Sequence, residues 1–244
     1  TASTISLGGA MADAGERVLL VDLDPQGHLT DALGVPESPD DATLSQAILG
    51  EWEGHPRELV VAYRERLHVL PTALDMFLLD RGLYMSTGRE HRLARVLRHL
   101  EDDYDVCLID CPPSLGATTD AALIAARQRP GHRGGLIVPV EAEDSSIKAL
   151  RLLLRQVGTL CQVMDVDIDV LGLVPSRLDL RDGLMTTSVL KAFHDLGRPP
   201  VLAEIRKRKE VREAWREKVP VTEYAPESEV SGWFRELAKA VRAS

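Results

Sequence analysis

Two segments of this chain end an apolar run in acid, Val21-Asp22-Leu23-Asp24-Pro25-Gln26-Gly27 and Cys107-Leu108-Ile109-Asp110-Cys111-Pro112-Pro113-Ser114-Leu115-Gly116. An aspartate at the tip of a hydrophobic strand is the Walker B arrangement. It faces phosphates and holds Mg2+, usually through water, because magnesium keeps much of its octahedral hydration. Asp110 is the candidate for that work, against the plainer alternative of a residue that opens a turn before two prolines. Asp22 and Asp24 add a second acidic strand end, where a carboxylate can orient an attacking water. An acid at the place of Asp24 is also the ribose-binding position of a dinucleotide fold, roughly 20 residues past a glycine loop. No dehydrogenase constellation follows it, however, and the segment around Asp110 has no role in that alternative.

Apolar runs at Val18 to Leu23, Leu67 to Leu70, Val106 to Ile109, Leu136 to Val140, Val170 to Val174 and Val201 to Ile205 read as strands. Helical patterns lie between them, at Thr43 to Leu49, Pro56 to Tyr63, Ala73 to Met85, Arg89 to Glu101, Thr119 to Ala126, Ser145 to Leu160, Asp182 to Leu196, Glu210 to Lys218 and Val230 to Val241. This alternation predicts an α/β fold, a doubly wound, mostly parallel sheet flanked by helices, with ligands at the carboxyl ends of the strands. Residues 127–135 and 36–41 read as loops, too short to link domains, so residues 1–244 are expected to form a single domain. Ahead of the first strand, Ile5, Leu7, Ala10, Met11 and Ala14 suit the buried side of a helix closed by Gly15. A right-handed β-α-β unit needs a strand before that helix, so the first strand of the sheet is expected upstream of Thr1.

With 44% hydrophobic residues over 244 positions, the chain can bury a large core, which excludes a disordered protein. Its formal net charge of −9 excludes coating of nucleic acid by bulk charge, so any such contact must be local. Three cysteines, Cys107, Cys111 and Cys161, without C-x-x-C spacing argue against a disulfide framework and a structural zinc site, and fit a reducing cytoplasm. No apolar stretch reaches the length of a membrane span, and residues 1–15 lack the basic region and cleavage site of a signal peptide.

The run Val18 to Gly27, followed about eighty residues later by Asp102 to Gly116, resembles the ParA-type partition ATPases of the wider ParA/MinD deviant Walker class. Leu70-Pro71-Thr72, Glu90 to Leu93, Ile137 to Val140 and Pro220 to Pro226 fall where that family has similar segments, so the likeness covers nearly the whole chain. In the family a phosphate-binding loop of pattern K-G-G-x-G-K-[ST] runs into a helix ending L-G-x-x-L-A. Here Leu7-Gly8-Gly9-Ala10-Met11-Ala12 matches that helix, which makes Thr1 the [ST] of the motif. The glycines and lysines of the motif are not in this chain, and the resemblance implies that they precede Thr1 in an N-terminally longer protein. Backbone N–H groups of such a loop cradle phosphate and its lysine reaches the β/γ oxygens, so the chain taken literally should neither hold ATP tightly nor hydrolyse it. The plain alternative for Thr1 is a helix N-cap.

The resemblance implies ATP and Mg2+ as cofactors, with Thr1 a direct magnesium ligand, Asp110 the Walker B magnesium residue, Asp24 the acid that helps activate the hydrolytic water, and Asp22 a support of the strand end beside the nucleotide. Family contacts to adenine come from a strand-end loop matching Gly172 to Asp179, which brings Ser176 to the nucleotide, and from a later segment matching Ile205 to Arg208. Pro175 and Arg206 depart from the family pattern there.

Residues 203–218 carry seven basic residues against four acidic ones. A solvated helix laced by i,i+4 pairs is the ordinary meaning of such a stretch. Arg208, Arg212 and Arg216 nevertheless follow one another at i,i+4, a like-charge arrangement that costs helix stability unless an anion lies opposite. With Arg206 they are read as contacts to DNA phosphate without base readout. The resemblance implies an ATP-dependent homodimer that binds nonspecific DNA, a ParB-like partner that stimulates hydrolysis, and a cytoplasmic, nucleoid-associated protein. The alternatives are a MinD-like positioning ATPase at the membrane and a nonhydrolysing scaffold without the phosphate loop. Trp233, Phe234, Leu237, Ala240 and Val241 give the last helix an apolar face, read as packing onto the domain because its polar side mixes acids and bases instead of presenting lysines to a membrane.

Overall fold

The computed structural model describes residues 1–179 and 184–243. In chain order its elements are α1 (Ala2–Asp13), β1 (Val18–Asp22), α2 (His28–Leu33), α3 (Leu44–Leu49), β2 (Val61–Arg64), β3 (Leu67–Leu70), α4 (Met76–Tyr84), α5 (Arg92–Arg98), β4 (Val106–Asp110), α6 (Ala117–Ala125), β5 (Leu136–Val140), α7 (Asp144–Met164), β6 (Val170–Pro175), α8 (Leu184–Asp195), α9 (Lys209–Arg216), α10 (Val221–Tyr224) and α11 (Glu229–Ala243). One sheet has the order β2-β3-β1-β4 and a second pairs β5 with β6. All pairings are parallel except β2 with β3, so the antiparallel strand lies at an edge.

The continuous apolar run of β1 has its explanation in two covered faces. Val18 and Leu20 pack with Ile5 and Met11 of α1 and Phe234 and Leu237 of α11. Leu19 and Val21 pack with Ile48, Leu79, Leu93 and Ala121 on the other side. Each such fully buried leucine contributes on the order of 2 kcal/mol. Helix α1 lies close enough to the sheet that a Cβ at Gly8 would sit 2.7 Å from Leu20, and one at Gly9 would sit 2.7 Å from Pro220. Those two glycines fix the depth at which Thr1 and Thr4 reach the strand ends. The apolar face of α11 is packed in this core, as its pattern predicts, whereas Ala14 is exposed.

β4 and β5 face one another across a cavity of about 760 Å3, lined by Cys107 to Leu115, Gly135 to Glu141 and the start of α1. Neither strand is paired on that side. As a result β4 is only partly buried along its length, in contrast to the fully buried β1.

Several expected elements differ. Pro56 to Tyr63 is not one helix but a single 3-10 turn, Pro56–Leu59, followed by β2. Proline starts the turn, while the β-branched Val60 and Val61 favour extended chain. Val201 to Ile205 runs beside β6 without forming a strand, joined by bridges at Leu173 with Val201 and Leu178 with Arg206 and by the Ile205 N–H on the Pro175 carbonyl. Pro175 has no N–H for a continuous ladder, and Arg177 takes a positive φ of 57°. Arg89 to Glu101 is broken into the 3-10 turn Arg89–His91 and α5. The first two residues of the helix expected from Asp182, Asp182 and Gly183, lie outside the described residues. Helices α2 and α10 have too few residues to show a period in the sequence.

Candidate nucleotide site

The parallel register sets Asp22 opposite Asp110, each the last residue of its strand. Asp110, 5% exposed, takes hydroxyl donors from the start of α1: Thr1 Oγ1 donates to its Oδ2 and Thr4 Oγ1 to its Oδ1, both at 2.7 Å. The Thr1 backbone nitrogen lies 2.8 Å from Oδ1. Thr1 occupies the N-cap position of α1 but makes no side-chain cap hydrogen bond. Its hydroxyl is directed at a carboxylate across the site and not at its own helix. Thr4 was not singled out from sequence, although its i+3 spacing from Thr1 places the two hydroxyls on one helix face.

Asp22 is fully buried and accepts three hydrogen bonds, from Thr30 N (2.9 Å) and Thr30 Oγ1 (2.7 Å) at Oδ2 and from Asp24 N (3.2 Å) at Oδ1. Burial pushes its pKa up, opposed by the Thr30 hydrogen bonds, while the neighbouring Asp110 charge raises it further. All three of these hydrogen bonds come from the segment that follows Asp22 in the chain, which is expected to lie beside the nucleotide. Asp24 is different. Its Oδ1 accepts from Gln26 N at 2.9 Å, and no hydrogen bond engages its Oδ2 among the described residues. One oxygen of a largely buried carboxylate is thus left for water. Gly27, at φ 64°, closes the turn with its N–H on the Asp24 carbonyl. Thr72, at the end of β3, donates its N–H to Thr30 Oγ1 at 3.1 Å, so a third strand joins the same network. Nothing in the spacing of Thr30 or Thr72 identifies them in the sequence.

Ser176 lies past the carboxyl end of β6, its hydroxyl donating to the Val174 carbonyl at 2.9 Å. Among the described residues it shares no hydrogen bond with Asp22, Asp24 or Asp110. The basic residues sit elsewhere. Helix α9 starts at Lys209, so Arg208 is its N-cap residue in extended conformation and does not belong to a three-arginine helical stripe. Arg208 pairs with Glu229 at 2.7 Å and lies over the Trp233 ring, as does Arg206. Arg212 and Arg216, on α9, are exposed and have no hydrogen-bond or ion-pair partner among the described residues.

The donor set suits Mg2+. It offers hard oxygen from one carboxylate and hydroxyls, and magnesium at a nucleotide completes its shell with phosphate oxygens and water. No group of three or more His, Cys, Asp or Glu comes together among the described residues, so a metal held by protein side chains alone has no cage here. None of the described helices is long and apolar enough to cross a membrane.

Residues 1–170 match the AAA domain family. Over all of its length the chain is 30% identical to the sporulation initiation inhibitor protein Soj of Bacillus subtilis, covering 93% of that protein. Over 74% of its length it is 32% identical to the chromosome partitioning protein ParA of Myxococcus xanthus, covering 61% of it. A solved Mycobacterium smegmatis structure, described as cobyrinic acid a,c-diamide synthase with bound ATP analog and magnesium, superposes with a TM-score of 0.82 at 33% identity, over 99% of this chain and 89% of that one. The fold, the paired acidic strand ends and these likenesses agree: the chain belongs to the AAA domain family, among its ParA-type partition ATPases.

Proposed function

We propose that this chain forms most of an ATP-dependent DNA partition protein, in which two protomers enclose ATP, the dimer holds DNA nonspecifically, and a ParB-like partner triggers hydrolysis. The observation that carries this reading is the convergence of Thr1 and Thr4 on Asp110 beside the half-free carboxylate of Asp24. ATP with Mg2+ supplies a phosphoryl group whose transfer to water is driven by positioning and charge stabilisation. Asp110 and the Thr1 hydroxyl would hold the metal. Asp24, with Oδ2 unengaged, would orient the water. The cavity between β4 and β5 supports the expectation of a parallel strand leading into Thr1, since two unpaired edges flank it and the start of α1 lines it. Such a strand would deliver the phosphate loop to the metal residues.

For DNA, the unpaired Arg212 and Arg216 support phosphate contact better than Arg208, which Glu229 already neutralises. Gel shift and liposome sedimentation, both with ATP and with a form carrying the phosphate loop, test the reading. DNA retention without lipid binding is expected. Binding to vesicles alone would favour a membrane-positioning role, and binding to neither a scaffold. Arg212→Ala with Arg216→Ala should weaken binding to any duplex equally and lower its salt slope by about 2, because each phosphate contact releases counterions. A melting curve of the same variant should be unchanged.

A further inference from the structure

The Asp24 loop is held by a hydrogen-bond chain with Thr30 at its centre. Thr30 is 1% exposed, and its hydroxyl donates to Asp22 Oδ2 at 2.7 Å while accepting the N–H of Thr72 at 3.1 Å. Its own N–H donates to the same Asp22 oxygen at 2.9 Å. The other Asp22 oxygen takes the N–H of Asp24 at 3.2 Å. The chain thus runs from β3, through the first turns of α2, to the carboxylate that ends β1, and on to the backbone of Asp24. Every member is buried: Asp22 is 0%, Thr72 3% and Asp24 8% exposed. A buried hydroxyl that both donates and accepts fixes the spacing of two strand ends in a way that an apolar side chain of the same shape cannot.

We propose that Thr30 is a positioning residue for hydrolysis, setting the place of Asp24 through Asp22 without touching nucleotide or metal. The proposal rests on the ATPase reading above. It predicts a split effect, because the water-orienting acid moves while the Asp110 carboxylate, held by the Thr1 and Thr4 hydroxyls and by the β1–β4 ladder, stays in place. A displacement of the order of 1 Å at a catalytic group costs up to about 100-fold in rate.

The test is steady-state ATP hydrolysis, with Mg2+, by the form carrying the phosphate loop. Thr30→Val keeps the shape of the side chain and removes the hydroxyl. It should lower kcat about 10- to 100-fold and leave KM within about twofold, whereas Thr30→Ser, which restores the hydroxyl, should return kcat to near the parent value. Should Thr30→Val not fold, Asp22→Asn serves, since its amide has a single acceptor oxygen and cannot accept from both Thr30 and the Asp24 N–H, so the chain is cut at one of those two points and the same kcat-selective loss is expected. A parent-like kcat in Thr30→Val, an equal loss in kcat and in affinity, or a serine variant as slow as the valine one would each overturn the proposal. If the parent protein shows no ATP turnover at all, it is the ATPase reading that fails; the positioning role then falls with it, and the two failures are told apart by that parent measurement.

Discussion

Asp22 and Asp110 are register partners at the ends of neighbouring parallel strands, equally chosen in type and nearly equally buried. Their surroundings part company at once. Asp22 is bonded by residues two and eight positions along its own chain, and every donor is enclosed. Asp110 is bonded by hydroxyls more than a hundred residues away in sequence, beside a cavity wide enough to admit other groups. Local and enclosed donors make a scaffold. Hydroxyls from a separate element, which can give up a proton contact to become metal ligands themselves, make a site. On the proposed function, two aspartates on adjacent strands would divide structure from chemistry, and the division would follow from who donates to them.

The sharpest way to break this contrast is to remove each acid in turn. In the form with the phosphate loop, Asp110→Ala should abolish Mg2+-dependent nucleotide binding and reduce turnover by about 100-fold or more, while nucleotide binding without metal changes little. A magnesium titration of bound nucleotide decides it, and surviving magnesium dependence would make Asp110 a turn residue only. Asp24→Ala should retain ATP and dimerise, yet hydrolyse about 100-fold more slowly, because water positioning is lost while the metal site remains. Asp22→Ala belongs to a different class. It leaves three enclosed donors without an acceptor, an expected loss of about 3 kcal/mol, visible as a melting temperature lower by about 6–12 °C. An unchanged melting curve would show that Asp22 is not structural.

The smallest effect sharpens the contrast from outside. Asp105 lies at the opposite end of β4 from Asp110, and the Arg17 side chain and N–H hold its pKa down to about 2. A depressed acid stabilises the fold above its ordinary value near 4 and loses that contribution as pH falls toward 2. Asp22, raised by burial, has the opposite sign: its folded form is favoured while protonated, and that advantage fades as pH rises through its elevated value. Asp105→Asn should therefore lower the melting temperature slightly and by a constant offset above about pH 4, an offset that shrinks as pH falls from 4 to 2, and it is small because the pair is exposed and screened. An offset that grows as pH falls below 4 would contradict this.

The order of the strands' apolar runs and the acids at their tips were legible because a parallel sheet covered on both faces demands uninterrupted hydrophobic stretches. β3 and β5 matched their expected bounds residue for residue. What escaped was either short or conditional. β2 pairs with the edge that β3 offers, and the β-branched Val60 and Val61 are too short a signal to set Val61–Arg64 apart from the helical pattern before it. Arg208 is the extended N-cap of α9, and its guanidinium is taken by Glu229, a residue twenty-one positions away that no local pattern could have named. Thr72 lies in a segment that resembles the family, but neither it nor Thr30 shows its role in the sequence, because that role is a contact between strand ends and a hydroxyl does not announce its partner.

The pairing of β1 with β4 runs without a shift from Val18 opposite Val106 to Asp22 opposite Asp110. It acts as a ruler: the offset between the two carboxylates is counted out in residues along five paired positions. Deleting one residue from β4 would turn each of its side chains to the opposite face. Deleting two would restore the faces but draw Asp110 back along the strand by about 7 Å. Length variation in this protein should therefore be found in its loops and absent from these ten positions, and a library of short insertions would map the ruler directly as a tract where no functional insertion survives.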